Sequence, residues 1–290
     1  MKEGKAYNGM VEVGEDVREA YRVLEERIKA SMAKIKRKIV VLSGKGGVGK
    51  STVAVNLALA LAASYGPETV GILDADITGP SIPKMLGVRG MALQSGPPGI
   101  FPAFGPMGVK IVSMDFLLPS DETPVIWRGP LKSSAIRQFL GEIVWGKLEY
   151  LLTDLPPGTG DEALTVIQSI PKVDGAIIVT IPSEVSELVV KKAVEFARRL
   201  NTPILGIVEN MAEFRCPKCG AVYQILRSGA GERIAEQMGV RLLGKIPLDP
   251  TVSETSDAGK PIVASDPQHP IAKTFMKIAE EIDSLLKASS

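Results

Sequence analysis

Four stretches of this 290-residue chain hold side chains whose types and spacing suit chemistry on a polyphosphate and on a metal. The first is GKGGVGKST, Gly44 to Thr52, which fits G-x-x-x-x-G-K-[ST] between an apolar β-branched run and a helix-forming stretch, the context this motif needs. Gly44, Gly46, Gly47 and Gly49, with Val48 among them, let successive backbone N–H groups curl around an anion at the positive end of a helix. Lys50 suits the β and γ phosphates, Ser51 suits Mg2+, and Thr52 completes the nucleotide-binding set. Lys45 adds a second cation to the loop, where a unit-charge contact is worth about 4 kcal/mol at an intermediate dielectric. The second stretch, LDADITGPS, puts Asp74 and Asp76 at the carboxyl end of an apolar run, and the third, YLLTDLPPGTGDE, does the same for Asp154. In open α/β sheets that edge is where ligands sit. Asp154 is read as a Mg2+ ligand acting mostly through water, and Asp76 as the carboxylate that orients an attacking water. Asp74 suits a structural hydrogen-bonding role as well as a chemical one. The catalytic set is therefore Lys45, Lys50 and Asp76. GIVENMA offers Asn210 alone where a guanine site has N-K-x-D, so adenine, and hence ATP, is the expected nucleotide.

The fourth stretch is FRCPKCGAV, which holds Cys216 and Cys219, the two cysteines of the chain. A thiolate-only metal site takes about four ligands, so the pair supplies half of one. A Zn(Cys)4 site shared by two copies meets that count. A thiol–disulfide pair is a weaker reading, because no helix pattern follows Cys219 to lower its pKa. His269, in DPQHP, is a spare ligand in principle and reads as a solvated turn residue.

These residues need a frame. Apolar runs KIVVLSG, TVGILDAD, GVKIVSM, LEYLLTD, DGAIIVTI and PILGIVEN alternate with helix-length stretches such as KSTVAVNLALALAAS and SELVVKKAVEFARRL. Runs apolar on both faces and joined by helices describe parallel strands, so the predicted fold is α/β: a doubly wound, mainly parallel sheet over residues 38–290. Val17, Tyr21, Leu24, Ile28 and Ile35 fall at helical spacing and predict one amphipathic helix over 15–36, the main content of an N-terminal segment 1–37. Residues 90–109, rich in Gly and Pro, read as a long loop. At 45% hydrophobic residues the chain buries a large core, and 34 basic against 33 acidic residues leave a net charge of +1, which gives no field for nucleic acid or anionic lipid. VAVNLALALAA, broken by Asn56, is too short to span a membrane, and the amino terminus has no apolar leader. The expected product is a soluble cytoplasmic protein.

GKGGVGKST with Lys45 resembles the deviant Walker A of the P-loop NTPases that include the Min and Par positioning ATPases, the arsenite-pump ATPase and the nitrogenase iron protein. DADITGPSIPKMLG, VIWRGPLKSSAIRQFL, DLPPGTGDEALT, ENMAEFRCPKCG and LLGKIPLDPTVSETSDAGKPIV narrow the likeness: over residues 36–265 the chain resembles the Mrp/ApbC family of iron–sulfur cluster carrier ATPases. The resemblance implies that Lys45 is the signature lysine reaching across a nucleotide-sandwich homodimer, that Lys50 and Ser51 are the Walker A lysine and Mg2+ ligand, and that Asp76 and Asp154 are the switch I and switch II carboxylates. It further implies that Cys216 and Cys219 meet their symmetry mates around one [4Fe-4S] cluster, received from an assembly scaffold and passed to apo iron–sulfur proteins, with slow ATP hydrolysis coupled to that handling. The cysteine-rich amino-terminal extension of eukaryotic relatives is missing, and YQILRSGAGERIA follows the family only loosely. Two readings stand beside the carrier: a Min/Par-like positioning ATPase, and a zinc-bridged dimeric ATPase.

Overall fold

The computed structural model describes residues 15–117, 129–215, 219, 221–223 and 229–289. Cys216, residues 125–128 of the VIWRGP stretch and residues 224–228 lie outside the described residues. The strands are β1 (Ile35–Ser43), β2 (Val70–Asp74), β3 (Gln94–Gly96), β4 (Gly99–Phe101), β5 (Ala103–Phe104), β6 (Lys110–Ser113), β7 (Leu148–Asp154), β8 (Gly175–Thr180), β9 (Ile204–Arg215), β10 (Val222–Tyr223) and β11 (Leu242–Leu248). The helices are α1 (Glu15–Met32), α2 (Lys50–Tyr65), α3 (Ile82–Met85), α4 (Gly129–Glu142), α5 (Asp161–Ser169), α6 (Glu184–Arg199), α7 (Ala230–Met238), α8 (Pro250–Asp257), α9 (Ile262–Ser265) and α10 (Pro270–Ala288).

One sheet runs in the order β10-β9-β8-β1-β7-β2-β6-β5, with β11 also paired to β9. Every pairing from β9 to β6 along this path is parallel, as is β9 with β11; the short β5 and β10 pair antiparallel. The reason is visible in β1. Ile39 and Val41 belong to one buried cluster, with α2 and α10, while Val40 and Leu42 belong to the other, with α1, α4, α5 and α6. Apolar side chains on both faces demand helices on both faces, and parallel strands need crossovers long enough to supply them. The chain is thus a doubly wound α/β domain.

Helix α2 is buried on all sides, from Val53 through Ala62. Its one interior polar residue, Asn56, is satisfied at both ends: Nδ2 donates to Thr52 O (2.9 Å), and Oδ1 accepts the N–H of Val263 (3.3 Å), pinning α9 to α2. At the opposite end of the strands from the phosphate loop, Asp283 of α10 accepts from Tyr65 Oη (2.6 Å) and Tyr150 Oη (2.5 Å) and pairs with Lys287 (2.7 Å).

Three expectations change. The amphipathic helix stops at Met32, and Ile35 pairs with Leu148 at the start of β1. Met32 and Ile35 are both buried in the same core, the one from the helix and the other from the strand, because strand pairing outweighs a period that Ile35 fits equally well. Residues 90–109 are more ordered than a loop: β3 and β4 form a hairpin across Pro97 and Pro98, and β5 caps the edge of β6. β11 was hidden in the sequence because Gly244 and Pro247 interrupt LLGKIPL, which an edge strand tolerates. His269 is the N-cap of α10, its Nδ1 accepting the Ile271 N–H (3.2 Å).

Burial pushes the Asp283 carboxyl upward, but the hydrogen bonds from Lys287, Tyr150 and Tyr65 outweigh it and hold the group below the usual carboxylate range. A depressed folded pKa means stabilisation that is present at neutral pH and lost as pH falls through the ordinary range. Asp283→Ala is expected to lower unfolding free energy by about 2–3 kcal/mol at pH 7, and the deficit should shrink below about pH 4, as urea titrations at the two pH values would measure.

Candidate nucleotide and metal site

The carboxyl ends of β1, β7 and β2 lie side by side, with Val41 paired to Asp154 and Asp74 paired to Asp154. Residues 44–49 leave β1 and enter α2 through Gly49 in the left-handed conformation (φ 78°). No side chain caps that helix, so its first N–H groups face the loop. Two glycines are required on steric grounds. A Cβ on Gly44 would lie 2.5 Å from the carbonyl oxygen of Val189 in α6, and a Cβ on Gly49 would take the place of the Asn210 amide.

Lys50, 6% exposed, donates from Nζ to Asp154 Oδ1 at 2.6 Å, and Ser51 Oγ donates to Asp154 Oδ2 at 2.5 Å. Asp154 is fully buried; burial raises its pKa above the carboxylate range, and Lys50 works against that rise. Asp74 accepts from Ser113 Oγ (3.1 Å) and from the N–H groups of Asp76, Ser81 and Ile82 (3.2, 3.1 and 3.3 Å). Burial first and the Asp154 charge second push Asp74 up to about 7. It therefore acts as the buckle that folds residues 76–82 back over β2. Asp76 Oδ1 accepts from Thr78 Oγ1 (3.0 Å) and Gly79 N (3.2 Å).

Lys45, Lys50, Ser51, Asp76, Ser81 and Pro157 line one open cavity of about 210 Å³. Gly46, Gly47, Val48, Gly49 and Thr52 line it too, so the structure brings together every phosphate-side residue singled out in the sequence except Gly44, Asp74 and Asp154, which do not line it. The side chain of Lys45 has no ion-pair partner among the described residues. Asn210 touches the loop from behind, Nδ2 donating to Val48 O at 2.9 Å. Ser81 and Pro157 were not singled out; the signal for both was a Gly-Pro or Pro-Pro turn just past a strand-end aspartate. The hard oxygen donors of Ser51 and Asp154, in contact beside Lys50, fit Mg2+.

The cysteine segment leaves the same edge of the sheet. β9 outruns its neighbour β8 and pairs with β10, Arg215 with Val222 and Phe214 with Tyr223, the two rings 6.5 Å apart. In the sequence both cysteines fall between those pairs. Cys219 is exposed and free; Cys216 is outside the described residues. Among the described residues no group of three or more His, Cys, Asp or Glu is placed to hold a metal ion.

A family described as ParA, the NUBPL iron-transfer P-loop NTPases, matches residues 34–283. The chain belongs to this family. As an iron-transfer P-loop NTPase it is similar to the iron–sulfur cluster carrier protein of Saccharolobus solfataricus, 53% identical over 94% of this chain and 92% of the relative. Among solved structures it is similar to a nucleotide-binding protein of Archaeoglobus fulgidus in complex with ADP, with cobalt found in it (40% identity, TM-score 0.75, 88% of this chain and 98% of that one). It is also similar to the septum site-determining protein MinD of Pyrococcus horikoshii with Mg-ADP (26% identity, TM-score 0.64, 88% and 99%). The fold and family are those of a P-loop ATPase.

Lys50→Ala strands the Asp154 carboxylate. Removing one partner of a buried pair costs about 3–5 kcal/mol unless the survivor takes up a proton. With its folded pKa above the unfolded value, Asp154 in the variant penalises folding increasingly as pH rises. The thermal-melt deficit of Lys50→Ala is therefore expected to be larger at pH 8 than at pH 5; an equal deficit at both would contradict the assignment of the pair.

Proposed function

We propose that this ATPase works as a cytoplasmic homodimer that carries a [4Fe-4S] cluster as cargo on Cys216 and Cys219 of each subunit, receiving it from an assembly scaffold and handing it to apo iron–sulfur proteins. One observation carries the reading. A chain of the iron-transfer NTPase family has two cysteines in total, spaced C-x-x-C, at the end of a strand whose Asn210 touches the phosphate loop. Half a thiolate set per chain calls for a second copy, and an exposed site shared across an interface lets cargo leave.

In this reading ATP lies along residues 44–52, with Lys50 on its β and γ phosphates and Asn210 steadying the loop from behind. Lys50 turns from Asp154 toward the phosphates on binding, an exchange of one anionic partner for another within the same pocket. Lys45 reaches the nucleotide of the partner subunit and offsets charge that develops during hydrolysis. Asp76 accepts from the attacking water and sets its line of approach. Ser51 and Asp154 would hold Mg2+, which supplies charge neutralisation between the phosphates. Hydrolysis is slow and coupled to cluster handling.

A positioning ATPase on a membrane needs an amphipathic helix to spare. The apolar face of α10 is already in the core, with Phe275 and Ile282 fully buried, and among the described residues no helix is long and apolar enough to cross a membrane. A zinc-bridged dimer meets the same ligand count, and composition separates the two. Anaerobic reconstitution of wild type is expected to give half a cluster per subunit, iron matched by sulfide, on a particle of dimer mass. Cys216→Ser or Cys219→Ser should lose it. Zinc without sulfide, or a loaded single subunit, would refute the carrier reading. Lys50→Ala is expected to slow cluster transfer to an apo acceptor while leaving the cluster bound.

A further inference from the structure

The phosphate loop and the cysteine pair belong to different loops, yet one strand touches both. In β9, Asn210 donates to Val48 O of the phosphate loop at 2.9 Å. The preceding residue, Glu209, accepts from the N–H of Gly231 (2.8 Å) in the first turn of α7, where the chain returns from the cysteine segment. β9 then runs on to Arg215, the residue before Cys216. Adjacent residues thus hold the loop that meets the nucleotide and the far end of the segment that carries the thiols.

Between Asn210 and the hairpin the strand is irregular. Met211 has φ +55°, the left-handed region that a bulky side chain resists. Pairing with β11 goes from Asn210↔Ile246 to Phe214↔Leu248, four steps on β9 against two on β11, so β9 carries two surplus residues. On the other side, pairing with β8 ends at Thr180↔Glu209, so this bulge lies just past the support of the central sheet. Taking up or shedding a surplus of two preserves strand parity: the hairpin moves along its axis without its side chains changing face. A strained residue at such a point favours two discrete arrangements over a continuum.

We propose that Met211 is the hinge of a bulge through which occupancy of the phosphate loop is passed, by way of Asn210, to the cysteine hairpin. The proposal rests on the carrier reading above. Nucleotide against the loop shifts the Val48 carbonyl, Asn210 follows it, and the strain at Met211 sets which of two positions the hairpin takes. Met211 is a positioning residue, its Cε 3.7 Å from where a Cβ on Gly49 would stand.

Linkage supplies the test, since coupling is reciprocal: if nucleotide changes the grip on the cluster, the cluster changes nucleotide affinity by the same factor. Affinity for a non-hydrolysable ATP analogue is measured on apo and cluster-loaded protein. Wild type is expected to differ by about 5-fold or more between the two forms. Met211→Gly, which adopts a positive φ freely, is expected to bind analogue and cluster and to fold normally, with the two affinities within about 2-fold. Met211→Ala keeps the Cβ and hence the strain, and should keep the wild-type ratio. Hydrogen exchange at residues 211–215 should change on adding the analogue to wild type. A Met211→Gly variant with the wild-type ratio, a Met211→Ala variant that loses it, or unchanged exchange at 211–215 overturns the hinge and leaves the carrier reading standing. A wild type that takes up no cluster overturns both and is recognised before any variant is made.

Discussion

The buried contact among Lys50, Ser51 and Asp154 is the constraint from which the rest of the site follows. A lysine and an aspartate at 6% and 0% side-chain exposure persist only because each supplies what the other lost on leaving water. That mutual need fixes the end of β7 against the first turn of α2. It also prepares the pocket for exchange, since the cation that balances Asp154 is the same one that suits a phosphate. Asp74, one strand over, cannot add a second full negative charge to so dry a place, and its carboxyl is accordingly raised to about 7 while it serves as an acceptor for backbone N–H groups.

The doubly wound sheet turns this local arrangement into a site by gathering strand ends at one edge. β1, β2 and β7 bring the phosphate loop and the carboxylates together, and β9 brings the cysteine segment to the same edge. The outer strands differ in kind from the inner ones. β1, β2, β7 and β8 are buried and regular, whereas β9 passes beyond β8, shifts register against β11 and ends in a two-residue ladder with β10. Regular strands hold the nucleotide half of the molecule and an irregular one holds the thiol half.

Much of this was legible in the sequence, and the reasons differ by element. The phosphate loop could be read because glycine spacing, a lysine and a hydroxyl must coincide there, and the inner strands because apolar runs on both faces have few alternative readings. Asp154 and Asp76 followed from their positions at strand ends. Ile35 was misassigned because a single β-branched residue fits a helical period and a strand start alike, and only its pairing with Leu148 decides. β11 and the β3–β4 hairpin were obscured by Gly and Pro, which edge strands and tight turns accept. The link from Asn210 to Val48 spans 162 positions and has no local signature, and neither has the backbone strain at Met211. Contacts of that range come from topology, which composition and periodicity do not encode.

Helix α2 is walled in by the sheet on one side and by α9 and α10 on the other, and even its one interior amide is tied to Val263. Such a helix has no free space to slide or tilt, so the floor beneath the phosphates acts as an immovable bench mark. Any motion provoked by gaining or losing the terminal phosphate must then be taken up by the segments bordering it, and every displacement in the catalytic half of the molecule can be measured from α2 as a fixed origin.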